Sequence, residues 1–386
     1  MTTGKPKRIL VLSGGGGRGG FHAGVYQYLM ESRKSGVDDA HAGPWKPDIV
    51  VGTSIGAVNG AAIAQGIPAD ELVGIWERLV EQDIQGIPPN MRWLARKVVS
   101  RVFGLVGNSG LQPVKDGATS PVPLEFWRPL PFLSNWFSER LLGRWINLLD
   151  TGPLKKTLYS EFKFDPQKIA DSEIGLLIAA TKVKTGERML FSNRDVFDHK
   201  RNQDRQDVAK GITAERILAS CSIPLVYPWT EDKATKSLYW DGALVANTPL
   251  GAALDLAGND PEIPVEIVIV LMTPFWEDEK SVPADLQEKP TSFGDAITWV
   301  LDWMLLASFR ENLKMVRAFN KVAEYEREKC PPPYRYRVVN PIIVAPKKFM
   351  GAERIINYDF TDTMENIKQG YEAAEEIFKT AFKKAA

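Results

Sequence analysis

Residues 49–65 read IVVGTSIGAVNGAAIAQ. Ile49-Val50-Val51 is a short apolar, β-branched run that suits a buried strand. Gly52-Thr53-Ser54-Ile55-Gly56 then gathers small residues around one hydroxyl, and an alanine-rich helical stretch follows from Ala57 to Gln65. A serine between two glycines at a strand-to-helix corner is how a hydrolase exposes a nucleophile. The glycines let the chain turn sharply and let a substrate approach Ser54. The helix that follows directs free N–H groups and partial positive charge at the same point, which favours an alkoxide or an oxyanion there. The five-residue pattern alone also occurs in flexible turns, so its position between strand and helix carries the weight.

Working outward, the N-terminal region predicts a strand at Arg8–Ser13, a glycine loop at Gly14–Gly20 and a helix at Phe21–Glu31. A second strand at Asp48–Val51, the serine turn and a helix at Ile55–Gln65 follow. This strand-loop-helix order, twice repeated, predicts an α/β fold with a mostly parallel sheet flanked by helices. Further strands are expected at Ile174–Thr181, Arg188–Phe191, Ser237–Trp240, Val265–Leu271 and Arg335–Asn340. Helices are expected at Thr213–Ala219, Leu250–Leu256, Phe293–Glu326 and Thr363–Lys384. Between 90 and 154 prolines and tryptophans become frequent, with Trp93, Trp127, Trp136 and Trp145 in one segment. That segment is expected to be a cap inserted into a single domain spanning 1–386, with 290–386 a C-terminal extension packed on the sheet. In that extension Trp299, Trp303, Leu306 and Leu313 are expected to pack on the sheet.

The composition is that of a globular protein: 386 residues, 44% hydrophobic and 25% charged, enough apolar material for a large core. Forty-eight basic residues balance 48 acidic ones, so global charge gives no indication of nucleic-acid binding. Two cysteines, Cys221 and Cys330, and three histidines offer neither a disulfide framework nor a metal cluster. No metal or other cofactor is expected. The basic start, Met1 to Arg8, lacks the apolar core of a secretory signal, and no apolar run reaches the length of a membrane span. The best run, Ala296 to Ser308, is short and contains Asp302. A cytoplasmic location, free or at a membrane surface, is the expectation.

Gly14-Gly15-Gly16-Gly17-Arg18-Gly19 follows one strand and opens one helix. The spacing of Gly14, Gly16 and Gly19 fits a dinucleotide fingerprint, whose acidic partner belongs at the end of a second strand. Asp38 and Asp39 lie at the right distance but in a loop-like stretch with no strand before them. The alternative is an oxyanion hole, since successive glycines turn several N–H groups toward one point. Parallel strands would bring this loop to the same end of the sheet as Ser54. Arg18 would then hold the loop's shape or meet a phosphate group.

A serine hydroxyl needs a base. After Ser54 the only histidine is His199, in the charged segment Asp195 to Asn202, where a surface position is expected. His22 is expected to pack or cap a helix, and His41 to lie in a loop. Asp241 is the better candidate, because it ends the apolar segment Leu238-Tyr239-Trp240 and is followed by Gly242-Ala243. A carboxylate held within hydrogen-bond reach takes the serine proton directly.

With these blocks in place, the chain resembles the patatin-like phospholipases from Arg8 to about Met272. The glycine loop with Arg18 matches the family's Gly-Gly-Gly-X-Arg/Lys-Gly, and Gly52 to Gly56 matches its nucleophile motif. Ala219-Ser220-Cys221-Ser222-Ile223-Pro224 is similar to its Ala-Ser-X-X-X-Pro block. Asp241-Gly242-Ala243, followed by Asn247-X-Pro249, matches the last one. Ser13 departs from the family, where many members carry Asp, and the tryptophan-rich insertion has no general counterpart. The resemblance implies a three-layer fold and a Ser–Asp dyad without histidine, with Ser54 as nucleophile and Asp241 as general base. It implies oxyanion donors at Gly15 and Gly16 with Gly17 or Arg18, and acyl-ester hydrolysis of glycerophospholipids or lysophospholipids through an acyl-serine. The competing reading is a lipid-binding or scaffold protein with the same fold and little turnover.

A lipid hydrolase must meet a membrane surface. Met91 to Phe103 reads as a basic amphipathic helix, with Arg92, Arg96, Lys97 and Arg101 on one side and Met91, Leu94, Val98 and Val102 on another. It is equally suited to packing on the core with a solvated basic stripe.

Overall fold

The computed structural model describes residues 5–31, 44–85, 149–198, 201–283, 289–291, 293–350 and 358–385. Its strands in chain order are β1 (Lys7–Leu12), β2 (Ile49–Thr53), β3 (Gly175–Lys182), β4 (Arg188–Ser192), β5 (Phe197–Asp198) and β6 (Gln203–Asp204). β7 (Val208–Lys210), β8 (Thr230–Asp232), β9 (Ser237–Asp241), β10 (Val265–Val270) and β11 (Ile342–Val344) complete them. The helices are α1 (Gly20–Glu31), α2 (Ile55–Ala64), α3 (Ala69–Arg78), α4 (Glu81–Ile84) and α5 (Gly152–Ser160). They continue with α6 (Pro166–Ala170), α7 (Ala214–Ser220), α8 (Leu250–Leu256), α9 (Phe293–Lys329) and α10 (Phe360–Ala385).

One sheet runs in the order β11-β10-β1-β2-β3-β4-β7, with β9 also on β3 and β8 on β9. The five strands from β11 to β3 are mutually parallel, and β4 and β9 join β3 antiparallel. Because strand side chains alternate, each central strand feeds two cores. Leu10, Leu12, Val50, Leu176, Ile178, Val268 and Val270 face one side with α1, α2, α3, α7 and α10. Ile9, Val11, Ile49, Val51, Leu177, Ile267 and Ile269 face the other with α8 and α9. Burial on both faces explains the near-continuous apolar runs in the sequence. The result is a three-layer α/β fold with a mostly parallel sheet.

The register of β3 positions the site. Its edge pairs with β2 as far as Thr53↔Ala179, and then with β9 starting at Ala180↔Asp241. The residue that leaves β2 is Ser54, and the residue that enters the same edge next is Asp241. One strand therefore brings together two residues 187 positions apart (241 − 54).

Three expectations need correction. The strand expected at Arg335–Asn340 is absent, and β11 lies later, at Ile342–Val344. Side chains occupy the backbone there: Val339 N–H donates to Asn320 Oδ1 at 2.9 Å, and Asn320 Nδ2 donates to Val339 O at 2.8 Å. Trp299 and Trp303 do not pack on the sheet but on Phe349, with ring centroids 5.0 and 5.3 Å apart, while Leu306 and Leu313 do enter the core. The short elements α3, α5, β7 and β8 were not anticipated. Most of the 90–154 segment, including the Met91–Phe103 helix, lies outside the described residues. At its end Leu149 and Leu154 are buried, and Leu149 N–H donates to Val226 O at 2.8 Å.

Candidate active site

Ser54 leaves β2 with φ 56° and ψ −127°, a conformation that a residue with a side chain adopts only when its surroundings enforce it. The enforcing contacts are local. Ser54 N–H donates to Ser220 Oγ at 2.8 Å, and Ser220 Oγ donates to Ala179 O at 2.6 Å. Gly56 lets the turn approach β1: a Cβ there would stand 2.2 Å from Leu12 O. The hydroxyl is thus aimed by a strained turn clamped between β1 and β3, at the start of α2.

The glycine loop lies against it. Gly14 N–H donates to Asn247 Oδ1 at 2.6 Å. A Cβ on Gly14 would come within 3.1 Å of the Ser54 Cβ and 3.2 Å of the Ala243 Cβ, so loop, nucleophile turn and Asp-Gly-Ala motif share one wall. Gly16 has φ 60° and opens a single tight helical turn, Gly16–Gly19. The first N–H groups of such a turn, those of Gly16 and Gly17, have no acceptor within it.

Arg18 takes the first of the two roles considered for it. Its N–H makes a long contact to Gly15 O at 3.4 Å across the turn. Its guanidinium is fully buried and holds the loop's shape: Nη1 donates to Asp302 Oδ1 at 2.6 Å and to Met272 O at 3.1 Å, and Nη2 donates to Met350 O. Gly15, Gly16 and Gly17, whose N–H groups carry no such contact among the described residues, are the donors taken up in the proposal below, with Arg18 as their support.

Asp241 ends β9 and is 3% exposed; Ser54 is 4% exposed. The Asp241 backbone is fixed on both sides, its N–H donating to Ser222 O at 2.8 Å and its carbonyl accepting from Thr181 Oγ1 at 2.8 Å. Oδ1 accepts from Ala243 N–H at 2.8 Å, whereas Oδ2 is buried with no hydrogen-bond partner. Burial pushes this carboxyl up to about 7, against the opposing pull of the Ser54 hydroxyl and the Ala243 N–H. The Ser54 hydroxyl is thus among the groups that act on this carboxyl, and its Oδ2 is left open to it, as is common before substrate binds. A carboxyl titrating near neutrality both accepts and returns a proton at physiological pH.

Among the described residues the one histidine, His22, does not join the site. His22 is buried, and burial lowers its pKa to about 3. Its Nδ1 faces Asn59 Nδ2 at 3.3 Å in a network that ties Gly19 O to the Trp76 indole. His41 and His199 lie outside the described residues. Sequence reasoning quoted Ser220, Ser222 and Asn247 as motif letters without giving them tasks; the structure makes them the props of Ser54, Asp241 and Gly14. Asp302 was noted only as a charge that interrupts an apolar run, and that interruption was the available signal.

The family model of patatin-like phospholipases matches residues 10–254, well over half of the chain. The chain belongs to the patatin-like phospholipase family. No curated protein sequence matches it. Among solved structures it is similar to the type III effector ExoU at 12% identity and TM-score 0.34, over 98% of this chain and 53% of that one. A second similar structure, the ExoU–SpcU complex from the type III secretion system of Pseudomonas aeruginosa, gives 17% identity and TM-score 0.27, over 80% of this chain and 52% of that one. The chain spans about half the length of these two chains. The fold assignment rests on the strand order and the family match.

Proposed function

We propose that this protein hydrolyses acyl-ester bonds of glycerophospholipids or lysophospholipids through an acyl-serine intermediate, with Ser54 as nucleophile and Asp241 as general base. The observation that supports it most is the unpartnered, buried Oδ2 of Asp241 beside the strained Ser54 turn. Oδ2 takes the Ser54 proton as Oγ attacks the ester carbonyl carbon. The carbonyl oxygen, now an oxyanion, meets the N–H groups of Gly15, Gly16 and Gly17. The tetrahedral intermediate collapses, the C–O bond to the leaving alcohol breaks, and protonated Asp241 returns its proton to that alcohol. Water then repeats the sequence on the acyl-serine, with Asp241 again as base, and releases the fatty acid. A phospholipid substrate sets this work at a membrane surface, and among the described residues no helix is long and apolar enough to cross one.

Reaction with a fluorophosphonate tests the nucleophile. Phosphonylation mapped to Ser54, together with turnover of a soluble short-chain ester that Ser54→Ala abolishes, supports the assignment. An unlabelled Ser54 favours a lipid-binding protein with little turnover.

A further inference from the structure

The nucleophile and base both fall within the family-matched residues 10–254, yet the glycine loop is held from outside that stretch. Asp302, Leu305 and Ser308 recur every third residue along α9, a spacing that sets them on one face. Leu305 O accepts from Asn247 Nδ2 at 2.9 Å and Ser308 Oγ accepts from Asn247 N–H at 3.2 Å, while Asn247 Oδ1 accepts from Gly14 N–H. Asp302 Oδ1 accepts from Arg18 Nη1 at 2.6 Å. The two ends of the loop, Gly14 and Arg18, are thereby splinted to one helix. The Gly14 end uses neutral groups and an intermediary. The Arg18 end uses a salt bridge in which both side chains are fully buried.

We infer that Asp302 is a positioning residue for the reaction, acting through Arg18 to fix the N–H groups of Gly15, Gly16 and Gly17 where the oxyanion forms. The inference rests on the reading of Ser54 as nucleophile. A buried ion pair seldom adds net stability over an apolar pair of similar volume, so stability is a poor reason for a charge at this point in an apolar helix. Orientation is a better one. The planar guanidinium reaches three acceptors from three separate parts of the chain: Met272 O just after β10, Asp302 on α9 and Met350 O beyond β11. Asp302 Oδ1 is itself fixed by Thr273 Oγ1 at 3.1 Å. Met272 also abuts the loop directly, since a Cβ on Gly15 would lie 2.7 Å from the Met272 Cβ. Removing the charge leaves the loop room to tilt. Oxyanion donors act when aligned on the transition state, so a tilt lowers kcat and leaves ground-state binding largely intact.

The test uses the full chain, a soluble short-chain ester and four proteins. Asp302→Asn keeps the side-chain shape and is expected to lower kcat about 10- to 100-fold with KM within about 2-fold, part of the loss seen when an oxyanion donor is removed. Arg18→Met/Asp302→Leu replaces the pair with apolar side chains and is expected to be more stable than Arg18→Met alone, although Met272 O and Met350 O stay without their donor. Its kcat is nevertheless expected to stay down by at least about 10-fold. A double variant with wild-type Tm and wild-type kcat overturns the inference, because the pair is then structural only. Fluorophosphonate labelling separates the two levels. If wild type is not labelled at Ser54, the nucleophile reading fails and the role of Asp302 falls with it. If wild type and Asp302→Asn are labelled and turn over at equal rates, the role of Asp302 alone fails.

Discussion

Replacing Asp241 by Asn is expected to remove activity and yet stabilise the protein above neutral pH. Burial lifts the Asp241 carboxyl from 3.8 to about 7. A folded-state pKa above the unfolded one means that the native protein holds this proton more tightly than the unfolded chain. The associated stability is fully present below 3.8 and is lost as the pH rises through 7. A shift of about 3 units corresponds to about 4 kcal/mol, of which roughly 3 kcal/mol is lost between pH 5 and 8. Asn keeps an oxygen for the Ala243 N–H and never ionises, so the variant escapes that loss. Urea unfolding followed by tryptophan fluorescence, at pH 5 and pH 8, reads the difference. The variant's advantage over wild type is expected to widen by about 3 kcal/mol from pH 5 to pH 8 at unchanged m-value. Ser54→Ala supplies an internal check: it removes a group that lowers the Asp241 pKa, so its stability is expected to fall at still higher pH. Parallel pH curves for wild type and Asp241→Asn would refute the reasoning, because the carboxyl would then titrate alike in folded and unfolded chains.

On the proposed mechanism the same carboxyl sets the pH dependence of turnover. Because the base is the ionised form, kcat/KM is expected to rise through a single ionisation near 7 and then level off, and a profile flat from pH 5 to 8 contradicts this. Ser220→Ala strips the acceptor from Ser54 N–H and the donor from Ala179 O; a loss of about 1–3 kcal/mol in unfolding free energy, with a fall in kcat, is expected. Arg18→Met alone leaves Asp302 buried without its cation, and denaturant titration is expected to show a loss of about 3–5 kcal/mol, part of which the further change Asp302→Leu recovers.

Much of the fold was written locally. Apolar runs at 49–51, 174–181 and 265–271 gave strands, because strands buried on both faces must be apolar throughout. The sharp turn at Ser54 was legible because a strand-to-helix corner this tight needs small neighbours in fixed order. Asp241 needed more than its own neighbourhood: an aspartate at a strand end is commonplace, and the resemblance to a family supplied its task. What the sequence hid were pairings across distance. Nothing local announces that β9 takes over the β3 edge where β2 stops, or that Ser220 will catch Ser54 N–H from 166 residues away. The 335–340 segment misled for a related reason, since Tyr336, Val338 and Val339 suit a strand until Asn320 occupies the backbone of Val339. Arg18 was ambiguous because loop support and phosphate binding ask for the same side chain. Only the placement of Asp302, Met272 and Met350 around it decides between them.

The central claim is that Ser54 and Asp241 together cleave acyl esters of membrane lipids. Fatty-acid release from mixed phospholipid vesicles by wild type, Ser54→Ala and Asp241→Asn tests it most directly. The account predicts release by wild type and background levels from both variants, with Asp241→Asn still folded. Release by Asp241→Asn at the wild-type rate would contradict the account, since the proton of Ser54 would then have another acceptor.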